Sequence, residues 1–146
     1  MMNCPEQNSE TFLPVSLRYE TRLQWCWLCG RDERERPRGW HAPVFMLEEA
    51  HIIGGSTRSR QNIRAGLVIL CTMCHHVQHN GPVPRLGWDE EVTKANLVWL
   101  KRERDPEYYD AGQLMRWAGR LIEPEAPAQL YLDQYESRRG KPDYLK

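Results

Sequence analysis

The order of apolar and polar positions predicts two short strands followed by helices. Residues 44–53 (VFMLEEAHII) have the apolar content of extended structure interrupted by two acids, and a glycine pair follows them as a turn signal. Residues 67–70 (LVIL) are a short apolar run typical of a buried strand. A helix is expected at residues 75–80, where a glycine and two prolines then end it. The pattern therefore predicts strand, loop, strand and helix in one unit.

Helical periodicity returns after that unit. Residues 89–103 carry apolar side chains on one predicted face, and Asp105-Pro106 then restarts a helix whose apolar positions continue to Ile122. We expect these helices to pack against the core. The sequence thus divides into four predicted segments: a flexible leader (1–14), a core (15–88), a helical extension (89–137) and a flexible tail (138–146).

Composition and charge refine this picture. The chain has 146 residues, of which 40% are hydrophobic, so it has material for only a modest core, and such cores are often stabilised by a metal ion. The formal net charge is zero, but residues 50–88 contain no Asp or Glu while they carry four arginines and four of the five histidines. The neutral total therefore conceals a basic stretch, which either binds a polyanion or is simply solvated.

The sequence predicts a soluble, cytoplasmic protein. No apolar run approaches the length of a membrane-spanning helix, and the N-terminus lacks the basic-then-apolar order of a signal peptide. The five cysteines occur as two CxxC pairs and a lone Cys4. In a reducing compartment this pattern indicates metal binding rather than disulfides.

The two pairs, Cys26-x-x-Cys29 and Cys71-x-x-Cys74, predict a structural zinc site. Two residues between ligands let a tight turn direct both sulfurs at one ion, and two such turns complete a tetrahedral set. Four unrelated buried cysteines, or a redox-active pair of the thioredoxin kind, would each explain less of the pattern. A structural site of this kind does not by itself indicate a reaction.

Three histidines and an asparagine lie around the second CxxC pair. His75 follows Cys74 directly and His79 comes four residues later, so both imidazoles share one face of a helix and can hold a second ion. His51 lies upstream in the first predicted strand, and Asn62 lies in the loop between. Each residue alone has an ordinary structural explanation. Their order relative to the second CxxC pair is the informative feature.

This combination resembles the HNH endonuclease family over about residues 26–81. The matching elements are, in order, Cys26-x-x-Cys29, Glu49-Ala50-His51-Ile52-Ile53, Asn62, Leu70-Cys71-Thr72-Met73-Cys74-His75 and His79. The resemblance implies an α+β fold with a small zinc-stapled ββα-metal core, followed in this chain by C-terminal helices. In that core a hairpin carries His51 and a helix carries the metal-binding histidines.

By that resemblance His51 is the general base, Asn62 orients its imidazole, and His75 and His79 bind a catalytic divalent ion. An ordinary histidine pKa of about 6.5 suits a base that deprotonates water near neutral pH. The ion would stabilise charge that develops at the scissile phosphate. Imidazole ligands admit Mg²⁺, Mn²⁺, Ni²⁺ or Zn²⁺. The expected activity is metal-dependent hydrolysis of DNA phosphodiester bonds.

One position departs from the family pattern. Many members carry Asp or His immediately before the base as a further metal ligand, whereas this chain has Ala50, which cannot ligate. Glu49 is the alternative ligand, but neighbouring strand residues point to opposite faces, so a bend would be needed to bring it round. His76 lies off the His75/His79 face and is expected at the surface or against DNA. The departure weakens the expected metal site without excluding activity.

The expected partner is DNA, with little sequence preference. Arg58, Arg60 and Arg64 lie between the predicted base and the metal-binding helix, where phosphate contacts position a duplex without reading its sequence. One hydrolytic site would nick, so double-strand cleavage would need a homodimer or two encounters. Specificity would then come from a protein partner or from DNA structure. Compact HNH proteins are common in phage and bacterial genomes, and by analogy the chain is expected to be phage-like.

Two functions of other classes stay open at this stage. Ala50 favours a catalytically inactive zinc-binding module that binds nucleic acid on the same scaffold. The helices after Asp89 allow instead an interaction adaptor without affinity for DNA, which the basic stretch argues against. Nucleic-acid binding that is indifferent to added ions and to His51→Ala would indicate the inactive module.

Overall fold

Two stretches of the chain, residues 24–40 and 44–140, are described by a computed structural model of the protein. The predicted leader lies outside these stretches. Within them no helix is long and apolar enough to cross a membrane. Besides short 3-10 segments, the described residues form two strands, β1 (Leu47–His51) and β2 (Leu67–Cys71), and four α-helices, α1 (Thr72–Asn80), α2 (Lys94–Arg104), α3 (Ala111–Ala118) and α4 (Gln129–Arg139).

The two strands pair antiparallel at the centre of the fold. Their register places Leu47 opposite Cys71 and His51 opposite Leu67. All five β2 residues are buried, because an apolar run with β-branched side chains packs well inside a core. The backbone N–H of Trp27 donates to the carbonyl of Ile69 at 2.9 Å, so the first CxxC segment lies against β2. Both predicted strands are confirmed, and β2 reaches one residue further to include Cys71.

The first helix begins directly after β2 and completes a strand–strand–helix unit. Cys71 is its N-cap, and the Cys71 Sγ accepts a hydrogen bond from the Cys74 N–H at 3.4 Å. Met73, Cys74 and Val77 point into the core. The helix ends at Gly81, whose φ of 95° favours glycine. The predicted helix is confirmed, and it begins at Thr72, earlier than the sequence pattern indicated.

A buried glutamine closes the loop between the two strands. The Gly54 N–H donates to Gln61 Oε1 at 2.9 Å, and Gln61 Nε2 donates to the Gly54 carbonyl at 3.0 Å. Gln61 is fully buried. A Cβ at Gly66 would lie 2.4 Å from the Gln61 carbonyl oxygen, so this close approach requires glycine. The loop is therefore held in one shape next to the end of β1.

Capping residues in the sequence determine where helix α2 begins and where helix α3 ends. Thr93 and Asn96 form a capping box at the start of α2, each side chain accepting from the other's backbone N–H. This cap is why α2 begins at Lys94 rather than near Asp89. The next helix, α3, ends at Gly119, which adopts a left-handed conformation, so the expected continuation to Ile122 was wrong.

The last helix, α4, was not predicted as a separate element, and it packs on the first CxxC segment. Arg138 donates to the Cys29 carbonyl at 3.3 Å and Arg139 to the Gly30 carbonyl at 2.8 Å. A Cβ at Gly30 would lie 3.2 Å from the Cβ of Arg138. The helix thus includes the first two residues of the predicted tail. These contacts join the extension to the core, as expected of a packing addition.

A buried ionic cluster joins the end of the loop to α2. Arg64 Nη2 lies 2.9 Å from Asp105 Oδ1, and Lys101 Nζ lies 2.8 Å from Asp105 Oδ2. Lys101 also donates to the backbone carbonyls of Arg64 and Leu67. The side chains of Lys101 and Asp105 are fully buried. Burial alone would raise the pKa of Asp105, but hydrogen bonding to Arg64 and the charge of Lys101 hold it below its ordinary value.

We expect Asp105→Ala to destabilise the protein by about 3–5 kcal/mol, because it leaves the buried Arg64 and Lys101 charges without their counter-ion. The matched control is Glu103→Ala, since Glu103 pairs with the exposed Arg102 and such surface pairs contribute at most about 1 kcal/mol. Chemical denaturation measures both. Equal, small decreases in the free energy of unfolding for the two variants would contradict a stabilising role of the ionic cluster.

Candidate metal and active site

Four cysteines from separate parts of the chain form a buried cluster. Their Sγ atoms all lie within 4.8 Å of one another, and Cys29 Sγ and Cys71 Sγ are 3.8 Å apart. A tetrahedral site with metal–sulfur bonds of about 2.3 Å places neighbouring sulfurs about 3.8 Å apart. The separation is far too long for a disulfide of about 2.05 Å. The set Cys26, Cys29, Cys71 and Cys74 can therefore hold a metal ion, and its chemistry fits structural zinc.

Hydrogen bonds to the sulfurs prepare this cluster for an ion. The backbone N–H groups of Leu28 and Cys29 donate to Cys26 Sγ at 3.4 and 3.5 Å. The indole N–H of Trp88 donates to Cys74 Sγ at 3.3 Å. Such donors stabilise negative charge on sulfur, which is the form that binds metal. Trp88 and Trp27 are buried, so both pack around the cysteines.

At the end of the hairpin opposite to Cys71, His51 and Asn62 form a hydrogen-bonded pair. His51 is the last residue of β1, and its Nε2 lies 2.6 Å from Asn62 Oδ1. Because an amide oxygen can only accept, Nε2 carries the proton and Nδ1 keeps its lone pair. Among the described residues, no hydrogen-bond partner takes that lone pair. The imidazole is therefore oriented, half-exposed and able to accept a proton.

His75 and His79 converge on the exposed side of α1. Their Nε2 atoms lie 3.1 Å apart and their ring centroids 4.8 Å apart. Two nitrogens that each bind one ion at about 2.1 Å are separated by about 3.0–3.4 Å, so the spacing fits two ligands of one ion. Within the described part of the chain, no third histidine, cysteine or carboxylate completes a set with them.

A carboxylate that the sequence reasoning missed supports this pair. Glu48 Oε1 lies 2.6 Å from His75 Nδ1, and Glu48 Oε2 accepts from the Thr72 hydroxyl at 3.3 Å. With Nδ1 donating to the carboxylate, the lone pair of His75 Nε2 is directed toward His79. A carboxylate on the far nitrogen is the common arrangement for a metal-ligating histidine.

Strand alternation explains why the contact comes from Glu48 rather than from Glu49. Residues two apart on a strand share a face, so Glu48 lies on the face of Ala50, which is fully buried. Glu49, the alternative ligand in the sequence prediction, makes no hydrogen bond or ion pair with another described residue. The two-residue spacing between Glu48 and Ala50 was the signal in the sequence that would have identified Glu48.

Electrostatics link the three histidines. Partial burial, together with the charges of His75 and His51, lowers the pKa of His79. The lowered pKa favours the neutral imidazole, which is the form that binds metal. His76 is exposed on another face of α1, where it contacts Asn80.

The three arginines predicted to contact DNA differ in their exposure: two are exposed and one is buried. Arg58 and Arg60 are exposed in the 3-10 segment Gly55–Gln61, and no described residue pairs with either. Arg64 is 6% exposed, and Asp105 binds it. Its guanidinium lies 4.1 Å from the centre of the Tyr108 ring. This burial argues against a DNA contact for Arg64, because its donors already bind within the protein.

The fold and this geometry define the class of the molecule. It is a small α+β protein in which a two-stranded sheet and four described α-helices surround a Cys4 cluster that can bind zinc. Comparison of the chain with protein-family models, with curated proteins and with solved structures finds no match. Its function is therefore inferred from the residues and their arrangement.

Proposed function

We propose that the protein is a zinc-stabilised, metal-dependent endonuclease of the HNH type that hydrolyses DNA phosphodiester bonds. The observation that carries the proposal is that one strand–strand–helix unit holds an oriented proton acceptor, His51, and two converging imidazoles, His75 and His79, near enough for the charge of His51 to lower the pKa of His79. Hydrolysis of a phosphodiester needs a base for the attacking water and positive charge at the phosphate, and this unit offers both.

In the proposed reaction His51 accepts a proton from the attacking water through the Nδ1 that its bond to Asn62 leaves free. The amide of Asn62 fixes both the ring orientation and the tautomer, so the lone pair points away from the asparagine. An imidazole with a free lone pair can act as a general base in this step.

His75 and His79 would hold the divalent ion, and Glu48 would orient His75 for it. When bound, the ion supplies charge neutralisation at the scissile phosphate and stabilises the leaving oxygen. Mg²⁺, Mn²⁺, Ni²⁺ and Zn²⁺ are the candidates. The exposed Arg58 and Arg60 would contact backbone phosphates, which favours DNA binding with little sequence preference.

Glu48→Ala is expected to weaken binding of the catalytic ion by about 10- to 100-fold, because loss of the supporting carboxylate frees His75 to rotate. The neighbouring acid provides the matched control, since Glu49→Ala removes the same charge without touching His75. Calorimetric titration of Ni²⁺ into zinc-loaded protein measures both affinities. A larger loss of Ni²⁺ affinity for Glu49→Ala than for Glu48→Ala would mean that Glu49, and not Glu48, supports the ion site.

The proposal is tested on supercoiled plasmid with zinc-loaded protein, to which Mg²⁺, Mn²⁺, Ni²⁺ or Zn²⁺ is added separately. We expect relaxed circles with at least one of these ions and none without. Relaxed circles before linear product would indicate nicking by a single site. Intact plasmid with every ion, from protein that retains its zinc and fold, would refute the nuclease.

One observation favours a second candidate function. Ala50 is fully buried and has no ligand atom, so the described residues offer the proposed ion two protein ligands rather than three. An inactive zinc-binding module that binds nucleic acid through Arg58 and Arg60 would need no ion at His75 and His79. Its DNA affinity would be the same with and without added divalent ions, which a binding titration measures directly.

A further inference from the structure

A polar pocket of about 250 Å³ lies between the glycine turn after β1 and the helical extension. One wall is the turn, residues 54–56. The other wall belongs to the extension, which contributes Lys94 at the start of α2 and Trp117 and Arg120 around the end of α3. The pocket is thus formed by the core and the extension together.

The charges of this pocket are of one sign. Lys94 and Arg120 are its charged lining residues, and no carboxylate lines it. Both cations are exposed, and neither has an ion-pair partner among residues 24–40 and 44–140. Two unpaired cations from different elements around one concave surface attract an anion, and nearby walls of low dielectric strengthen that attraction.

The pocket lies close to the proposed base. Gly54 is three residues beyond His51, and three residues span at most about 11 Å. Because successive phosphates of one DNA strand rise by about 3.4 Å along the helix axis, the turn wall lies within about three nucleotides of His51. The two hydrogen bonds between Gly54 and Gln61 hold this wall beside the loop end that carries Asn62. Arg58 and Arg60 belong to the same loop, so two further exposed cations follow the turn wall within a few residues.

We propose that Lys94 and Arg120 bind a backbone phosphate of the DNA strand that passes the proposed active site. This inference rests on the proposed function and gives the extension a part in it, as one wall of the DNA-binding surface. At about 250 Å³ the pocket is smaller than the sites that bind whole drug-sized ligands, and its volume is suited to a phosphate group.

The double variant Lys94→Gln/Arg120→Gln tests the proposal, and its matched control is Arg38→Gln/Arg116→Gln, which removes two exposed cations outside the pocket. Affinity for a short fluorescent DNA duplex is measured against salt concentration, without divalent ions so that cleavage plays no part. For the pocket variant we expect weaker binding and a logarithmic salt slope shallower by about 0.9 for each phosphate that the protein no longer binds. The control should keep the original slope.

Equal changes in the two double variants would indicate a general effect of net charge and would overturn the proposal, as would an unchanged slope in both. Titration with inorganic phosphate is a second test, in which the NMR signal of the Trp117 indole N–H reports binding in the pocket. If inorganic phosphate binds there as tightly as the duplex does, the pocket is a free-anion site and the DNA assignment is wrong. If the protein never cuts DNA but the pocket variant shows the expected change in salt slope, only the proposed nuclease activity is refuted. Normal cleavage with an unchanged slope would refute the pocket alone.

Discussion

Cys29→Ser is expected to abolish the stable fold, because the cysteine cluster joins the first CxxC segment, the end of β2 and the start of α1 at one point. Structural zinc sites contribute about 10–16 kcal/mol of apparent binding free energy, which is comparable to the whole stability of a typical domain. Because the small core depends on the bound ion, we expect the loss of one thiolate to remove most of the stability of the fold. Circular dichroism and the zinc content of the purified protein measure the effect.

The fifth cysteine gives the matched control for that variant. Cys4 lies outside both CxxC pairs, so Cys4→Ser should keep one zinc ion per chain and an unchanged thermal transition. Chelation of wild-type protein should reproduce the Cys29→Ser result, and added zinc should restore the fold. A cooperative thermal transition in metal-free protein at the wild-type temperature would contradict the structural role of the cluster.

His51→Ala is expected to lower the rate of plasmid nicking by about 10²- to 10⁴-fold, the range that positioned general bases contribute. The half-exposed ring is not among the core residues, so the variant should fold and keep its zinc. Asn62→Ala should cause a smaller loss, because the imidazole remains but its tautomer and orientation are no longer fixed. Initial nicking rates at a saturating concentration of the active ion give both values.

The control for this prediction is His76→Ala, which removes an exposed imidazole from the same helix that carries His75 and His79. It should nick at close to the wild-type rate. If His51→Ala nicked as fast as His76→Ala, His51 would not be the base. A wild-type rate for Asn62→Ala would limit that residue to a structural role.

The parts of the fold that the sequence predicted are those determined by local spacing. Two residues between cysteines are enough to form a turn that directs both sulfurs at one point, and the apolar run before Cys71 is enough to indicate a buried strand. The i, i+4 spacing of His75 and His79 likewise determines that their rings meet on one helix face. Each of these relations is contained within a few neighbouring residues.

The parts that the sequence did not predict depend on contacts between distant residues. α4 has only one buried residue, Tyr131, and its contacts to the first CxxC segment join positions 109 residues apart, as between Arg139 and Gly30. The burial of Arg64 depends on Asp105, 41 residues further along the chain. No local pattern reports such partners. Glu48 is different, because strand alternation in the sequence could have identified it, although the prediction named Glu49 instead.

The central claim is that His51 and a divalent ion together cut DNA, and one measurement tests it most directly. Supercoiled plasmid is incubated with zinc-loaded wild-type protein and with the His51→Ala variant, each with and without the divalent ion, while DNA binding is measured on the same samples. We predict relaxed circles only for wild-type protein with the ion, with equal DNA binding by both proteins. Relaxed circles from both proteins, or from neither while both bind DNA, would contradict the claim.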